Sequence, residues 1–394
     1  MRRELTRLIS GQIFLHACMA GMRMATPLLA LQQGYNAVAV GGLLSLFALT
    51  QVFIAVPAGR YTDRVGLRHP VGWAVAVSTL GAVLSAVWPV FPVLCLGALS
   101  IGGATGVTVI ALQRHVGRLA RDPAELKGAF SWLSIGPAIS NFLGPVLAGL
   151  MIDHAGPQPA DLWGFRAAFA LMAVLPLLSW AILRHVPEHA RQKTEVARGP
   201  GGTLELLREP MMRRLLMVNW LMSSSWDVHT FVVPILGHER GFSASVIGTI
   251  LGGFAVAAAV IRMCLPWISR HWQEHHIVSA AMLSTGVLFG LYPFMPNPWA
   301  MGVCSVLLGL VLGSVQPMIM STLHQITPAH RQGEALGLRL MSINASSVLM
   351  PTLFGAVGAV AGVSPVFWVV GASVGLGSRM AWRLRPPKRH GISR

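Results

Sequence analysis

Gly59-Arg60-Tyr61-Thr62-Asp63-Arg64-Val65-Gly66-Leu67-Arg68-His69 sets three arginines and one carboxylate between two apolar runs. Each flanking run is about 20 residues long, which is what a helix needs to cross roughly 30 Å of hydrocarbon. The polar stretch therefore reads as a short turn at a membrane surface. Outward from it the same alternation repeats, and it predicts spans at 8–30, 38–58, 70–89, 91–113, 128–151, 163–183, 211–236, 245–268, 276–294, 298–323, 334–360 and 364–382. Of the 394 residues 54% are apolar and 11% charged, with a mean hydropathy of +0.61, too few charges to solvate a soluble protein of this size. The predicted fold class is an all-α membrane protein of twelve transmembrane helices in two pseudo-symmetric six-helix bundles. Met1-Arg2-Arg3 leads straight into the first span, so no cleaved leader is expected.

The net charge of +16 is informative through its placement. Basic residues crowd alternate loops: Arg60, Arg64 and Arg68, then Arg114, Arg118, Arg121 and Lys127, then a run from Arg184 to Arg214. The intervening loops hold little besides Arg166 and Arg240. The positive-inside rule puts the basic loops and both termini in the cytoplasm of a bacterial-type inner membrane. This placement follows topology and offers no aromatic platform, which argues against nucleic acid as a partner. Cys18, Cys95, Cys264 and Cys304 stand singly inside spans, with no spacing that suggests a metal site or a disulfide. No cofactor is expected, since no GxxxxGK[ST] loop or HExxH motif is present.

The longest polar stretch, 184–210, contains Gly-Pro-Gly-Gly at 199–202 and reads as the linker between halves at 1–183 and 211–394. A shift of 207 residues sets Pro27 on Pro234, Gly34 on Gly241, Gly41 on Gly248 and Gly106 on Gly313. A shift smaller by one sets Pro145 on Pro351 and Gly149 on Gly355. Spans 1 and 7 enter from the same side, so the halves are parallel repeats about an axis along the membrane normal. Two such halves can rock about a central site, which is alternating access.

With these features in place, the turn after span 2 resembles the signature loop of the major facilitator superfamily. The resemblance lies in Gly59, in Asp63-Arg64 four residues later, in Gly66, and in the basic residues that follow. It implies a cytoplasmic latch formed by Gly59, Asp63, Arg64, Gly66, Arg68 and Arg118, with Asp63 meeting the start of span 11 near Gly333. The corresponding stretch of the second half, Pro266-Trp267-Ile268-Ser269-Arg270, lacks the Asp and Gly. Span 5 contains Gly136-Pro137 and Gly144-Pro145-Val146-Leu147-Ala148-Gly149, similar to the antiporter motif of drug-efflux members. That similarity implies that Gly136, Gly144, Pro145 and Gly149 pack span 5 closely against the other half. Span 4 carries no charge from Leu96 to Gly106, where proton-coupled exporters of the family are expected to hold an arginine.

Ionisable groups within spans are costly and default to functional hypotheses. Arg23 in span 1 and Asp227 in span 7 fall about one helical turn apart in depth under the 207 shift, and are expected to pair across the halves as the proton-coupling site. Gln12, His16 and Arg23 form a stripe at helical spacing on span 1; Asn219, Ser223, Asp227 and Thr230 form another on span 7. Gln12 is equivalent to Asn219 and His16 to Ser223, so both stripes are expected to line one cavity, joined by Ser134 and Asn141 of span 5 and Asn344 and Ser347 of span 11. His229 lies on a different face and reads as a packed or interfacial histidine. Arg262 and Arg339 sit near cytoplasmic helix ends and read as snorkelling or latch residues. The function predicted is secondary transport of a small molecule by a monomer in the bilayer, with proton-coupled efflux ahead of uptake or uniport of an organic anion and of a non-transporting sensor. An enzyme is not expected.

Overall fold

The computed structural model describes residues 2–119, 129, 132–133, 135–188, 203–269, 271–327 and 331–384; the side chains at 2, 55–56, 63, 117–119, 203–204, 266 and 332–334 are not described. The described residues contain twelve long helices. These are α1 (Arg2–Gln32), α2 (Ala37–Val65), α3 (Arg68–Val87), α4 (Phe91–Leu119), α5 (Ile135–His154) and α6 (Leu162–Leu183). A 3₁₀ turn at Thr203–Arg208 leads into α7 (Pro210–Glu239), α8 (Ala244–Ile268), α9 (Glu274–Leu291), α10 (Pro298–Ile326), α11 (Gln332–Ala361) and α12 (Val363–Trp382). Ten of the twelve are long and apolar enough to cross a bilayer. Of the other two, α7 is diluted by the polar run Ser223, Ser224, Ser225, Asp227 and His229, and all five are buried inside the protein rather than set against lipid. The other, α12, is rich in Gly and Ser and carries Arg379 in its last turn.

Four of the six helix starts at the end of the bundle opposite the termini, the far end, are written in short polar side chains. Asn36, Asp161, Ser243 and Asn297 each accept a hydrogen bond from the third residue of the helix that follows, at 2.7–3.4 Å. Gly34 and Gly241, equivalent under the 207 shift, close the α1–α2 and α7–α8 turns at φ +85° and +71°, a region that disfavours any side chain with a Cβ.

One expectation about the second span is corrected. Gly59 to Asp63 do not form a loop: α2 continues through Pro57 and Gly59 to Val65, and Gly66 ends the helix at φ +86°. The turn is then tied to its own half. Glu188, just past α6, accepts from the backbone N–H groups of Leu67 and Arg68 at 2.8–3.1 Å and so caps α3, while the Arg68 guanidinium donates to Val186 O at 3.1 Å.

Packing repeats as the sequence does. In the first six helices α1 packs on α5 and α6, α2 on α4, and α3 on α4 and α6; in the second six α7 packs on α11 and α12, α8 on α10, and α9 on α10 and α12. The halves meet along two equivalent seams, α5 with α8 and α2 with α11. At one seam Gly41 lies against the carbonyl of Pro351 and Gly355 against that of Ala37; at the other Gly248 lies against the carbonyl of Pro145 and Gly149 against that of Ala244. These are the same glycines and prolines that aligned in the sequence, so the repeat marks where the halves approach backbone to backbone. Within the halves the pairing continues, with Gly102 on the Phe47 carbonyl and Gly309 on the Phe254 carbonyl. The span 5 motif divides its work: Pro145 and Gly149 face α8 of the other half, whereas Gly136 meets Gln12 and Gly144 meets Ala17 and Gly21, all on α1 of its own half.

Candidate functional site

Both seams lie toward the far end, and there the second seam carries a polar tie. Asp153, in the last turn of α5, accepts from the backbone N–H groups of Ala244 at 3.1 Å and Ser245 at 2.6 Å. These are orphan donors of the first turn of α8, where the helix dipole favours an anion. The carboxylate therefore holds one half to the other. Asp153→Ala is expected to weaken far-end closure by about 1–2 kcal/mol, the usual cost of losing a helix cap. The check is the rate at which an impermeant maleimide, added from outside, labels a cysteine placed at Thr230, which should rise several-fold in the variant.

Between the halves, from mid-depth toward the end that carries the termini, lies a cavity of about 350 Å³. Its wall brings together His16, Arg23, Asn141, Ser223 and Asp227, five of the residues singled out above. A smaller hollow of about 50 Å³ continues toward the far end and shares Arg23, Asn141 and Trp226 with it; Thr230 and Pro145 line this deeper part. Gln12, Asn219 and Asn344 are absent from both walls. Gln12 and Asn219 are nevertheless buried, and Gln12 Oε1 and both polar atoms of Asn219 have no hydrogen-bond partner among the described residues. His16 Nδ1 and Ser223 Oγ are in the same condition on the cavity wall. The two equivalent pairs are thus matched in being buried polar groups without partners, which is rare unless water or a ligand serves them.

The expected Arg23–Asp227 ion pair is not formed. The Asp227 carboxylate, 4% exposed, instead accepts from the Ser346 hydroxyl at 2.9 Å and the Ser347 hydroxyl at 3.3 Å, both from α11 of the same half. Ser346 is shared with Ser224 at 3.1 Å. Arg23 stands on the other half across the cavity, within range of the carboxylate's field, and donates to no described residue. Hydroxyls turned in from α11 take part of the carboxylate's acceptor capacity.

Arg262 and Arg339 are also corrected. Rather than snorkelling outward, Arg262 turns into the cavity wall, donates through Nε to Gly313 O at 3.3 Å and lies over the Trp226 ring at 5.9 Å. Arg339 is 8% exposed and donates to Gln316, another wall residue. A neighbouring helix, α10, offers carbonyl and amide acceptors closer than the membrane surface. Of the packed and interfacial alternatives His229 takes the first, stacked on Phe254 at 4.1 Å with Nε2 2.9 Å from Ser305 Oγ, which also bonds Tyr292. Trp226, Ser346 and Gln316 were not singled out in the sequence, and the single signal for them is proximity to Asp227 or helical phase with Ser347.

The expected latch is only partly visible. Gly59 packs beside the Arg114 guanidinium of α4 and Gly66 beside Glu188, contacts within one half. The side chains of Asp63, Arg118 and Gly333 lie outside the described residues, as does Ser134.

Comparison with known proteins gives the fold its family. The sequence pattern of the Major Facilitator Superfamily matches residues 8–296 and 215–394. The chain is 25% identical over 323 residues to the class E tetracycline resistance protein of Escherichia coli, covering 80% of this chain and 77% of that protein. It is 22% identical over 364 residues to multidrug resistance protein 1 of Bacillus subtilis, covering 91% and 90%. The solved structure of a bacterial homologue of the human lysosomal transporter Spinster, inward-facing and occupied, superposes with a TM-score of 0.78 at 12% identity, covering 96% of each chain. A twelve-helix membrane protein whose two halves repeat in sequence, in packing and in their glycine seams, and which matches the family pattern along both halves, belongs to the Major Facilitator Superfamily of small-molecule transporters.

Proposed function

We propose that this transporter exports a small solute across the bacterial inner membrane in exchange for protons, with Asp227 as the proton-coupling group. One observation carries the reading: a carboxylate buried at mid-depth faces, across a cavity between the halves, an arginine of the other half that has no hydrogen-bond partner among the described residues. While Asp227 is ionised, the two charges attract across the gap and hold the halves together around it. Protonation removes that attraction and leaves Ser346 and Ser347 to bond a neutral acid, so the relative stability of the two access states changes with proton occupancy. The export direction is supported by the resistance proteins among the relatives. With the basic loops on the cytoplasmic side, the closed far end and the cavity displaced from it correspond to a state facing inward, with both termini in the cytoplasm.

The test uses everted membrane vesicles energised by respiration, with tetracycline, ethidium and norfloxacin as first probes. An exported probe should collapse part of the pH gradient in vesicles that contain the protein and leave control vesicles unchanged. Probe movement that persists at the same rate after a protonophore has abolished the gradient would contradict proton exchange and favour uniport.

A further inference from the structure

The charge lining the central cavity is unbalanced in a way that selects a solute. On its wall stand two guanidinium groups, Arg23 and Arg262, and one carboxylate, Asp227. Asp227 is already served by two hydroxyls. Arg262 is engaged by the Gly313 carbonyl and the face of Trp226. Arg23 is left with five N–H donors and no acceptor among the described residues, and close by on the same helix His16 presents a buried Nδ1 without a partner. A half-buried guanidinium facing the cavity with its donors unused is matched by a carboxylate or another planar oxyanion, which it can grip with two parallel hydrogen bonds. An ammonium solute would instead meet a net positive wall whose one carboxylate already accepts from two hydroxyls. Beside the charges the cavity presents the soft apolar side chains of Met19, Met222 and Trp226, together with the uncharged polar Asn141, Ser223 and Gln316. Its volume of about 350 Å³ lies at the low end of the range for small-molecule sites.

We propose that the cavity binds a small organic anion, with Arg23 holding the carboxylate or equivalent oxyanion and the methionines with Trp226 receiving an apolar body. This inference rests on the cavity being the transport site proposed above, and it names the class of solute that site takes. It also gives the anion a role in the cycle. Bound at Arg23, it replaces Asp227 as the arginine's counter-charge, so the ionised carboxylate loses its attraction across the halves when the solute arrives.

The test is equilibrium binding to purified full-length protein in detergent at low chloride, with no gradient, using matched triads on several scaffolds. One such triad is 3-phenylpropionate, 3-phenylpropanamide and 3-phenylpropylamine. The expected result is that, within the triads that bind, the carboxylate binds at least about tenfold tighter than the amide and the amine. That preference should vanish in Arg23→Gln and persist in the exposed-surface variant Arg184→Gln. If Arg23→Gln does not fold, chloride competition on the wild type carries the test, and carboxylate affinity should fall as chloride rises while amide affinity does not. The proposal is overturned if amines or amides bind as tightly as carboxylates, if no carboxylate in the set binds, or if the preference survives Arg23→Gln. Because no proton gradient is involved, anion preference without coupling would remove the proton-exchange reading alone, and coupling without anion preference would remove this one alone.

Discussion

Gly41→Leu and Gly248→Leu should each abolish most transport, and to similar extents, although the two residues lie in different halves. A Cβ at Gly41 would fall on the carbonyl of Pro351, and one at Gly248 on the carbonyl of Pro145, so in both cases backbone rather than a flexible side chain must give way. Overpacking of this kind costs about 1–3 kcal/mol. The cost falls on the state in which the far end is closed, since that is where both glycines touch the opposite half. A bias of that size shifts a two-state equilibrium about 5- to 150-fold. Gly42→Leu is the control, because nothing lies within 4 Å of its Cβ position. Solute counterflow in proteoliposomes reads the transport loss, and external maleimide labelling of a cysteine at Thr230 reads the open far end. Equal activity in Gly41→Leu, Gly248→Leu and Gly42→Leu would sink the idea that the paired glycine seams are where the halves close.

The second large effect is expected at Asp227. Asp227→Asn keeps the shape and one acceptor for Ser346 or Ser347 but removes the charge that faces Arg23. Folding should be little changed, whereas proton-coupled flux should fall by about two orders of magnitude or more, since the substituted amide does not take up and release protons in this range. Asp227→Leu separates the two roles. It removes the carboxylate acceptor of the buried Ser346 hydroxyl, which keeps only its contact with Ser224, and should cost about 1 kcal/mol of stability in addition to the loss of coupling.

The membrane class, the twelve helices and the repeat were legible in the sequence because they depend on run length and on glycine and proline, residue types whose backbone consequences are local. Gly41, Gly248, Pro145 and Pro351 aligned as letters and then met as two equivalent seams. The cavity was partly legible for a similar reason: His16, Arg23, Ser223 and Asp227 follow helical spacing on α1 and α7, and a polar group within a span has few places to go. What helical spacing could not supply was the partner. Asp227 had an opposite charge at the right depth, yet the serines of α11 reached it first, and serine in a membrane helix is too common to signal a site. Arg262 and Arg339 looked close enough to the surface to reach it, but acceptors on α10 drew them inward. Asp153 was invisible for a different reason. Its partners are the backbone N–H groups of residues about 90 positions away, and no side-chain pattern announces a helix end.

The reading that a proton carried on Asp227 drives solute across this membrane meets its most direct test in proteoliposomes that enclose a pH dye. Wild type and Asp227→Asn are compared as candidate carboxylates and resistance-type drugs are added in turn. The account predicts a solute-dependent proton flux in the wild type that is lost in Asp227→Asn, with solute counterflow retained in the variant. Proton flux that continues undiminished in Asp227→Asn would contradict it, and would leave Asp227 as a structural anchor for α11.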